Sequence, residues 1–270
     1  MNFKVVIPAR LGSTRLPRKV LRDIGGKPLV QHVWAAARKT RAQEVVIATD
    51  EPEVFEACAA FGADVMMTSR KHESGTDRIF EVARKRRWSA ATLVVNLQGD
   101  EPLMPPALVR KCAQLLAADR KADIATLCHP LHALEEWLNP NIVKVVMNTA
   151  GHALYFSRAP IPWKRSSLPL PAGSSLPLPG GERAGVRGGV RGENFPAGLA
   201  YRHIGLYAYR VSALQKFSTL KPAKLETTEA LEQLRALAAG MTIAVGIVRD
   251  PPPRGVDTEE DLVEVQRVLG

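Results

Sequence analysis

The feature that most constrains the fold is an alternation of two hydrophobic periods along the first 130 residues. Apolar residues at helical spacing separate short runs rich in β-branched side chains, and prolines at 28, 52 and 105 stand where helices would begin. Strands that are apolar throughout and alternate with helices predict a doubly wound, mostly parallel α/β sheet covered on both faces. The predicted strands are Phe3–Ile7, Val45–Thr49, Val65–Thr68, Leu93–Leu97 and Ile124–Cys128.

The pattern changes after residue 140. Ile142–Met147 and Ala153–Phe156, joined by "NTAG", predict an antiparallel hairpin, and the alternating run His203–Tyr209 predicts a further strand. Leu225–Ala239 has the spacing of one helix, and Thr242–Val248 that of a strand. Thr258 and Asp261 form a capping box that predicts the start of a last helix.

One segment fits neither pattern. "SSLPLPAG" is followed at once by "SSLPLPGG", and "GVRGGVRG" follows a few residues later. Such Pro/Gly/Ser-rich sequence buries too little apolar surface to offset its ordering entropy. We predict a single domain over 1–270, with a hairpin subregion at 140–165 and 195–210 and a flexible insertion at 166–194.

Charge and cysteine content narrow the class of protein. The formal charge of +10 and the pI near 9.8 fit either a nucleic-acid partner or a small, highly anionic substrate. The three separated cysteines match no metal or redox template, which favours buried free thiols in a reducing compartment. Neither a signal-peptide layout nor an apolar run of roughly 20 residues is present, so a cytoplasmic protein without a membrane partner is expected.

Polar and basic residues follow several of the predicted strands. Five basic and no acidic side chains lie between Arg10 and Arg22, "HESGTDR" spans residues 72–78, and "QGDEP" carries Asp100. Ligands of open α/β sheets bind outside the carboxyl ends of the strands, where these segments meet. Basic groups suit a triphosphate and a carboxylate suits Mg²⁺, so phosphoryl or nucleotidyl transfer is indicated. The loop has neither the Walker pattern nor GxGxxG, which argues against an ordinary ATPase and a Rossmann dehydrogenase.

The motifs then resemble one family. "PARLGSTRLPRK" resembles the N-terminal signature of the CMP-sugar synthetases, and further segments are similar to the 3-deoxy-manno-octulosonate cytidylyltransferases within it. Those segments include "ESGTDRI", "VVNLQGDEP", "ALYFSRAPIPW", "RHIGLYAYR", "LEQLR" and "GVDTEEDL". They follow the family order from residue 4 to residue 265, with only 166–194 outside. The resemblance implies a nucleotide-diphospho-sugar transferase-like fold and a cytoplasmic enzyme, usually a homodimer with contacts from the hairpin.

The resemblance also implies a reaction and its residues. The family transfers CMP from CTP to the acid sugar Kdo (3-deoxy-manno-octulosonate), with Mg²⁺, giving CMP-Kdo and pyrophosphate for lipopolysaccharide synthesis. By position, the implied catalytic residues are Arg10, Lys19 and Asp100. The nucleotide-binding residues would be Arg10, Ser13, Arg15, Lys19, Ser74, Arg78 and Gln98. The sugar would contact Gln98, Arg158, Arg165, His203, Tyr207, Glu232 and Gln233, and Asp100 and Asp257 would hold the metal.

Other interpretations of these residues stay open at this point. The Ser74–Asp77 pair is itself a capping box, and Asp257 could simply supply charge near a helix N-terminus. His203 and Tyr207 lie on one face of an alternating strand and could both be core residues. For the whole protein, the alternatives are a cytidylyltransferase for another acidic sugar, such as a sialic acid, and a basic module that binds nucleic acid.

Overall fold

The structure, a computed structural model, describes residues 1–12, 15–72, 74–164, 195–196 and 198–270. The predicted insertion at 166–194, Ser13 and Arg165 therefore lie outside the described residues. In the first half, strands and helices alternate at the predicted places. The elements are β1 (Lys4–Pro8), a 3-10 helix (Lys19–Leu21), β2 (Asp23–Ile24), β3 (Lys27–Pro28), α1 (Leu29–Arg38), β4 (Glu44–Thr49), α2 (Pro52–Ala60), β5 (Asp64–Met67), α3 (Gly75–Lys85), β6 (Leu93–Asn96), α4 (Pro106–Ala118) and β7 (Ile124–Pro130).

The second half contains the predicted hairpin, followed by elements that return to the same sheet. Its elements are α5 (Leu134–Leu138), β8 (Lys144–Met147), β9 (Ala153–Ser157), β10 (Tyr201–Arg210), α6 (Val211–Ser218), α7 (Lys224–Glu229), α8 (Gln233–Ala238), β11 (Ile243–Ile247) and α9 (Glu259–Leu269). The last helix starts as predicted, because the Thr258 hydroxyl accepts the N–H of Asp261 and the Asp261 carboxylate accepts the N–H of Thr258.

The strands form one mixed sheet that is parallel where the sequence alternates strand and helix. Among the described residues it has nine strands, seven of them in the order β11-β7-β10-β6-β1-β4-β5. β1 runs parallel to β4 and β6, and β11 runs parallel to β7. β10 is antiparallel to both β6 and β7, so a late strand is inserted into the middle of the sheet. The doubly wound prediction with an antiparallel subregion is confirmed.

Both faces of the sheet are covered, as continuous apolar strands require. Val5 and Ile7 of β1 pack with the core on the side of α1 and α4, whereas Val6 packs with the core formed by α3 and α6. The three cysteines are buried free thiols, as predicted. None of the helices within the described ranges is long and apolar enough to cross a membrane.

One predicted helix is wrong. Leu225–Ala239 is not continuous: α7 ends at Glu229, and α8 begins at Gln233. Ala230 adopts a left-handed conformation with φ of 51°, and the chain turns there. The turn is held by tertiary contacts, because the Glu229 carboxylate accepts hydrogen bonds from the Ser157 hydroxyl and the Arg158 N–H on β9 and the segment after it. Helical spacing alone carries no signal for such a break.

Candidate active site

The basic loop lies at the carboxyl ends of β1 and β6, where the sequence places it. It leaves β1 after Pro8 and returns through the 3-10 helix that begins at Lys19. A cavity of about 370 Å³ opens at this edge, and we call it the rim cavity. Its lining residues are Pro8, Arg10, Gly12, Arg15, Lys19, Val20, Gly75, Gln98, Gly99, Asp100 and Asp257. Six of the predicted site residues therefore share this cavity.

Lys19 is the centre of the polar contacts in the rim cavity. Its Nζ donates to Asp100 Oδ2 at 2.6 Å and to Asp257 Oδ1 at 3.0 Å, and its side chain is 12% exposed. Arg15 reaches the other oxygen of Asp257 at 3.1 Å. Burial lowers the pKa of Lys19, but the two carboxylates outweigh burial and raise it above its ordinary value. The Lys19 ammonium group thus stands between the two predicted metal carboxylates.

Two glycines explain how carboxylates so distant in sequence come together. A Cβ on Gly99 would lie 2.7 Å from the carbonyl oxygen of Pro8, so the loops after β1 and β6 touch through backbone. A Cβ on Gly255 would lie 2.9 Å from Glu101 Oε1, and the next residue donates its N–H to the Asp100 carbonyl at 2.8 Å. The segment that carries Asp257 is therefore docked directly onto the Asp100 loop.

Glu101 is a third carboxyl group at this junction. Burial raises the pKa of Glu101 to about 8, and the neighbouring charges of Asp100 and Asp257 add to the rise. Within the described ranges no three His, Cys, Asp or Glu side chains are grouped as a complete metal site. Two carboxylates open to a cavity nevertheless fit Mg²⁺, which takes few protein ligands and completes its shell with phosphate oxygens and water.

Arg10 and Arg78 have different positions, although both were predicted to bind the nucleotide. Arg10 lines the rim cavity, donates to the backbone carbonyl of His72, and lies 3.9 Å from Asp50. Arg78 is fully buried, with its guanidinium 2.7 Å from the Asp50 carboxylate and bonded to the Thr68 hydroxyl. The nucleotide contact predicted for Arg78 does not agree with this burial. Arg78 instead orients Asp50 behind Arg10.

The remaining residues that were predicted to bind the nucleotide do not all lie in the rim cavity. Gln98 lines the rim cavity. Ser74 is the N-cap of α3, where its hydroxyl accepts the N–H of Asp77 at 3.1 Å, so the capping interpretation of this pair is correct. Ser13 lies outside the described residues. Of the predicted phosphate ligands, Arg10, Arg15 and Lys19 are therefore the ones that the structure brings to one cavity.

A larger cavity, of about 1080 Å³, adjoins the first and shares Arg15, Asp100 and Asp257 with it. Its walls include Arg158 and His203, two of the predicted sugar ligands. Burial lowers the pKa of His203 to about 3, and its Nε2 lies 3.0 Å from the Thr126 hydroxyl, so the ring is neutral. Arg165 lies outside the described residues. The predicted metal carboxylates thus stand where the two cavities meet.

The large cavity also contains charged residues that the sequence did not single out. They are Glu101, Arg202 and Arg254, and the uncharged residues 139–142 and Ala230 line the same cavity. Burial lowers the pKa of Arg202, and the charge of Arg254 adds to this effect. Arg202 directly precedes His203, and Arg254 stands three residues before Asp257. Their closeness in sequence to predicted site residues is the signal that could have identified them.

Three predicted sugar residues lie apart from both of these cavities. Tyr207, Glu232 and Gln233 line a small cavity of about 20 Å³ next to Tyr209 and Phe217. Burial raises the pKa of Glu232, whose Oε2 accepts the Thr76 hydroxyl at 2.9 Å. The centre of the Tyr207 ring is 5.2 Å from that of His203, which lines the large cavity. These two rings therefore connect the small cavity with the large one. A direct sugar contact for these three residues stays a prediction.

Comparisons with known proteins point to one family. The family model described as "Cytidylyltransferase" matches residues 4–243. A 3-deoxy-manno-octulosonate cytidylyltransferase of Cellvibrio japonicus is 50% identical over 269 residues, which cover 100% of this chain and 98% of the relative. A protein of the same name from Marinobacter nauticus is 48% identical over 270 residues, which cover 100% and 97%.

Solved structures of similar fold belong to cytidylyltransferases as well. A structure of CMP:2-keto-3-deoxy-manno-octonic acid synthetase complexed with CTP superimposes with a TM-score of 0.81 at 40% identity, covering 99% of this chain and 98% of the other. A cytidylyltransferase from Leptospira borgpetersenii shares the fold, with a TM-score of 0.58 at 15% identity over 98% of this chain and 85% of the other. By sequence and by fold, this chain belongs to the cytidylyltransferase family, among the 3-deoxy-manno-octulosonate cytidylyltransferases.

Proposed function

We propose that this protein transfers CMP from CTP to the anomeric hydroxyl of Kdo, giving CMP-Kdo and pyrophosphate. The observation that carries the proposal is the pair of adjoining cavities that share Arg15, Asp100 and Asp257. One cavity is lined by basic side chains suited to a triphosphate. The other is larger and has polar walls that can hold an acid sugar, and the shared carboxylates stand between them. The product would serve lipopolysaccharide biosynthesis.

In this assignment the basic loop holds the triphosphate. Arg10, Arg15 and Lys19 converge on the rim cavity, and their charge offsets that of the phosphates. The sugar hydroxyl attacks the α-phosphorus in line, so a new C–O–P linkage forms as the bond to the β-phosphate oxygen breaks, and the hydroxyl proton passes to solvent. Charge then builds up on the departing pyrophosphate, where Arg10 and Lys19 stabilise it. Because the attacking group belongs to the sugar, no protein nucleophile is needed.

Asp100 and Asp257 are the residues that would hold Mg²⁺ in this site. When bound, the ion would neutralise charge on the phosphates and lower the pKa of a hydroxyl that coordinates it. Lys19 now stands between the two carboxylates, at 2.6 and 3.0 Å.

The sugar side of the site would use Arg158 and the neutral ring of His203. Both line the large cavity, and a guanidinium is suited to the carboxylate that distinguishes an acid sugar. His203 would accept or donate one hydrogen bond without changing charge, since its pKa of about 3 is far below neutral pH. Gln98 of the rim cavity would lie between the nucleotide and the sugar.

The direct experiment is to measure pyrophosphate release with CTP, Mg²⁺ and Kdo, and with N-acetylneuraminate as a parallel acceptor. We expect release with Kdo, at a rate that falls by about 10²-fold or more in Asp100→Asn and when Mg²⁺ is chelated. Release with neuraminate alone would transfer the assignment to a sialic-acid enzyme. Absence of release with either acceptor from correctly folded protein would refute the proposal.

A matched control distinguishes the loss of a site carboxylate from a change in the net charge of the region. Glu264→Gln removes an exposed carboxylate from α9, the same helix that follows Asp257. We expect its rate of pyrophosphate release to equal that of the parent protein. A loss in Glu264→Gln comparable to that in Asp257→Asn would show that the net charge of this region, rather than the junction, controls activity.

We also propose that the protein works as a homodimer in the cytoplasm. The hairpin formed by β8 and β9 exposes Leu154, which is 60% accessible and would be covered by a second copy. Three buried free thiols are consistent with a reducing compartment. Sedimentation of the parent protein and of Leu154→Glu tests the first point: we expect a dimer that the charged substitution weakens.

A further inference from the structure

The fold holds an unusual buried cation beside the large cavity. Lys144, on β8, is fully buried, and its Nζ donates to the backbone carbonyls of Asn139 at 2.9 Å, Ile142 at 2.6 Å and Arg158 at 2.6 Å. Burial lowers the pKa of Lys144 to about 8, partly offset by the charge of Glu229. Within the described residues, no carboxylate forms an ion pair with it. A buried ammonium group is costly, and three carbonyls are the compensation present here.

These three carbonyls belong to segments that form the wall of the large cavity. Asn139 and Ile142 bound the turn that precedes β8, and the segment after β9 supplies Arg158. One ammonium group therefore ties the two segments together from inside the core. Strand pairing between β8 and β9 ends at Ser157, so pairing alone does not position Arg158.

Glu229 also binds Arg158, at other atoms. Its carboxylate accepts the Arg158 N–H at 2.9 Å and the Ser157 hydroxyl at 2.6 Å. Its backbone carbonyl accepts Arg158 Nε at 2.7 Å. The guanidinium also donates to the Pro140 carbonyl at 3.1 Å, which lies within the turn that Lys144 holds. Arg158 is thus fixed at its N–H, its carbonyl and its guanidinium, by two charged residues that do not line the cavity.

We propose that Glu229 and Lys144 are positioning residues that set the Arg158 guanidinium toward the acid sugar. This inference rests on the proposed function, because it concerns binding of the sugar. The rim cavity lies on the other side of Asp100 and contains none of the three residues. Substituting Glu229 or Lys144 should therefore weaken sugar binding and leave CTP binding intact. A general loss of stability would weaken the binding of both substrates.

The test compares steady-state constants for Glu229→Gln, Lys144→Met and Arg158→Ala. We expect each to raise the KM for Kdo by about tenfold or more, with the KM for CTP within about twofold of the parent value. In the Arg158→Ala background, adding Glu229→Gln should change the KM for Kdo by less than about twofold, because residues that act through one another are not additive. Multiplicative effects in the double variant, or equal changes for both substrates, would overturn the proposal.

Glu226→Gln is the matched control. Glu226 lies on the same helix, α7, and its carboxylate pairs with the guanidinium of Arg235 at 2.9 Å. Its removal costs a carboxylate contact of this helix away from the large cavity. We expect a lower thermal midpoint for Glu226→Gln with an unchanged KM for Kdo. A rise in that KM equal to the rise in Glu229→Gln would reduce the proposal to an effect of helix stability.

Two further measurements decide the proposal if a variant does not fold or if the kinetic constants alone are ambiguous. If Lys144→Met does not fold because three carbonyls lose their donor, Glu229→Gln and its double variant decide the proposal. A crystal structure of Glu229→Ala, which removes both side-chain acceptors, gives a readout independent of activity: we expect Arg158 to shift and its guanidinium to leave the Pro140 carbonyl, and an unmoved side chain would refute the inference. Failure of the parent protein to use Kdo would instead refute the proposed function.

Discussion

Glu81 offers a sharp test of how the loop behind Arg10 is held. Its side chain, 10% exposed, accepts the backbone N–H of Ser69 at 2.8 Å, pairs with Lys85 at 2.8 Å, and contacts the ring of His72. Burial raises the pKa of the Glu81 carboxyl, but these donors outweigh burial and lower it to about 2. A fall from an ordinary 4.5 to about 2 corresponds to about 3 kcal/mol in the free energy of unfolding.

The sign of the pH dependence follows from the lowered pKa. The unfolded chain binds the proton first as pH falls, so the stabilisation is complete above about pH 4.5 and is lost as pH falls toward 2. We expect Glu81→Gln to lower the free energy of unfolding by about 2–3 kcal/mol at pH 7, measured by urea denaturation. The difference from the parent protein should shrink between pH 4.5 and 2.

Two results would refute this reasoning about Glu81. The first is a difference in unfolding free energy that stays constant from pH 7 to pH 2.5, since it would arise from packing rather than from charge. The second is a difference no larger than that of Glu264→Gln, an exposed carboxylate on α9, for which we expect less than about 0.5 kcal/mol. Because the His72 carbonyl accepts a hydrogen bond from Arg10, the KM for CTP should also rise in Glu81→Gln.

Three further predictions concern single residues. Gly99→Ala should destabilise the fold by about 1–3 kcal/mol in urea denaturation and lower pyrophosphate release, because the new Cβ would stand 2.7 Å from the Pro8 carbonyl oxygen. Thr258→Ala should cost about 1 kcal/mol of unfolding free energy, since α9 loses the side chain that caps it. His203→Asn should leave the shape of the kcat/KM profile unchanged between pH 5 and 8, because burial holds the pKa of His203 near 3.

The predictions for Gly99 and His203 each have a control or an opposing result. Gly12→Ala places a methyl group where, among the described residues beyond its own chain neighbours, no atom lies within 4 Å, so its unfolding free energy should match the parent's. A Gly99→Ala protein as stable as Gly12→Ala would mean that the two loops do not touch as described. Loss of a step near neutral pH in His203→Asn would show that the ring titrates in the working range.

The alternation of strands and helices, the parallel half of the sheet and the cap of α9 could all be predicted from the sequence. Each depends on local periodicity or on spacing within a few residues, such as that of Thr258 and Asp261. The basic loop could be placed at the rim for the same reason, since it follows β1 directly. The family motifs then added a substrate class that periodicity does not contain.

Long-range contacts explain where prediction failed. Arg78 has the charge of a phosphate ligand, but the fold places it beside Asp50, and its guanidinium is buried. The helix predicted over 225–239 breaks at Ala230 because Glu229 binds β9 and the segment after it, which lie far away in sequence. Local spacing is the same whether such a partner is present or absent.

The sequence by itself thus determined the fold class, the family and the chemical character of the site. Only the tertiary structure decided which charges meet: Lys19 between Asp100 and Asp257, and Arg158 held by Lys144 and Glu229. The physical reason is the distance along the chain over which each kind of interaction is determined. Hydrophobic periodicity acts over one turn or one strand, whereas electrostatic contacts depend on distances that exist only after the sheet has brought its loops together.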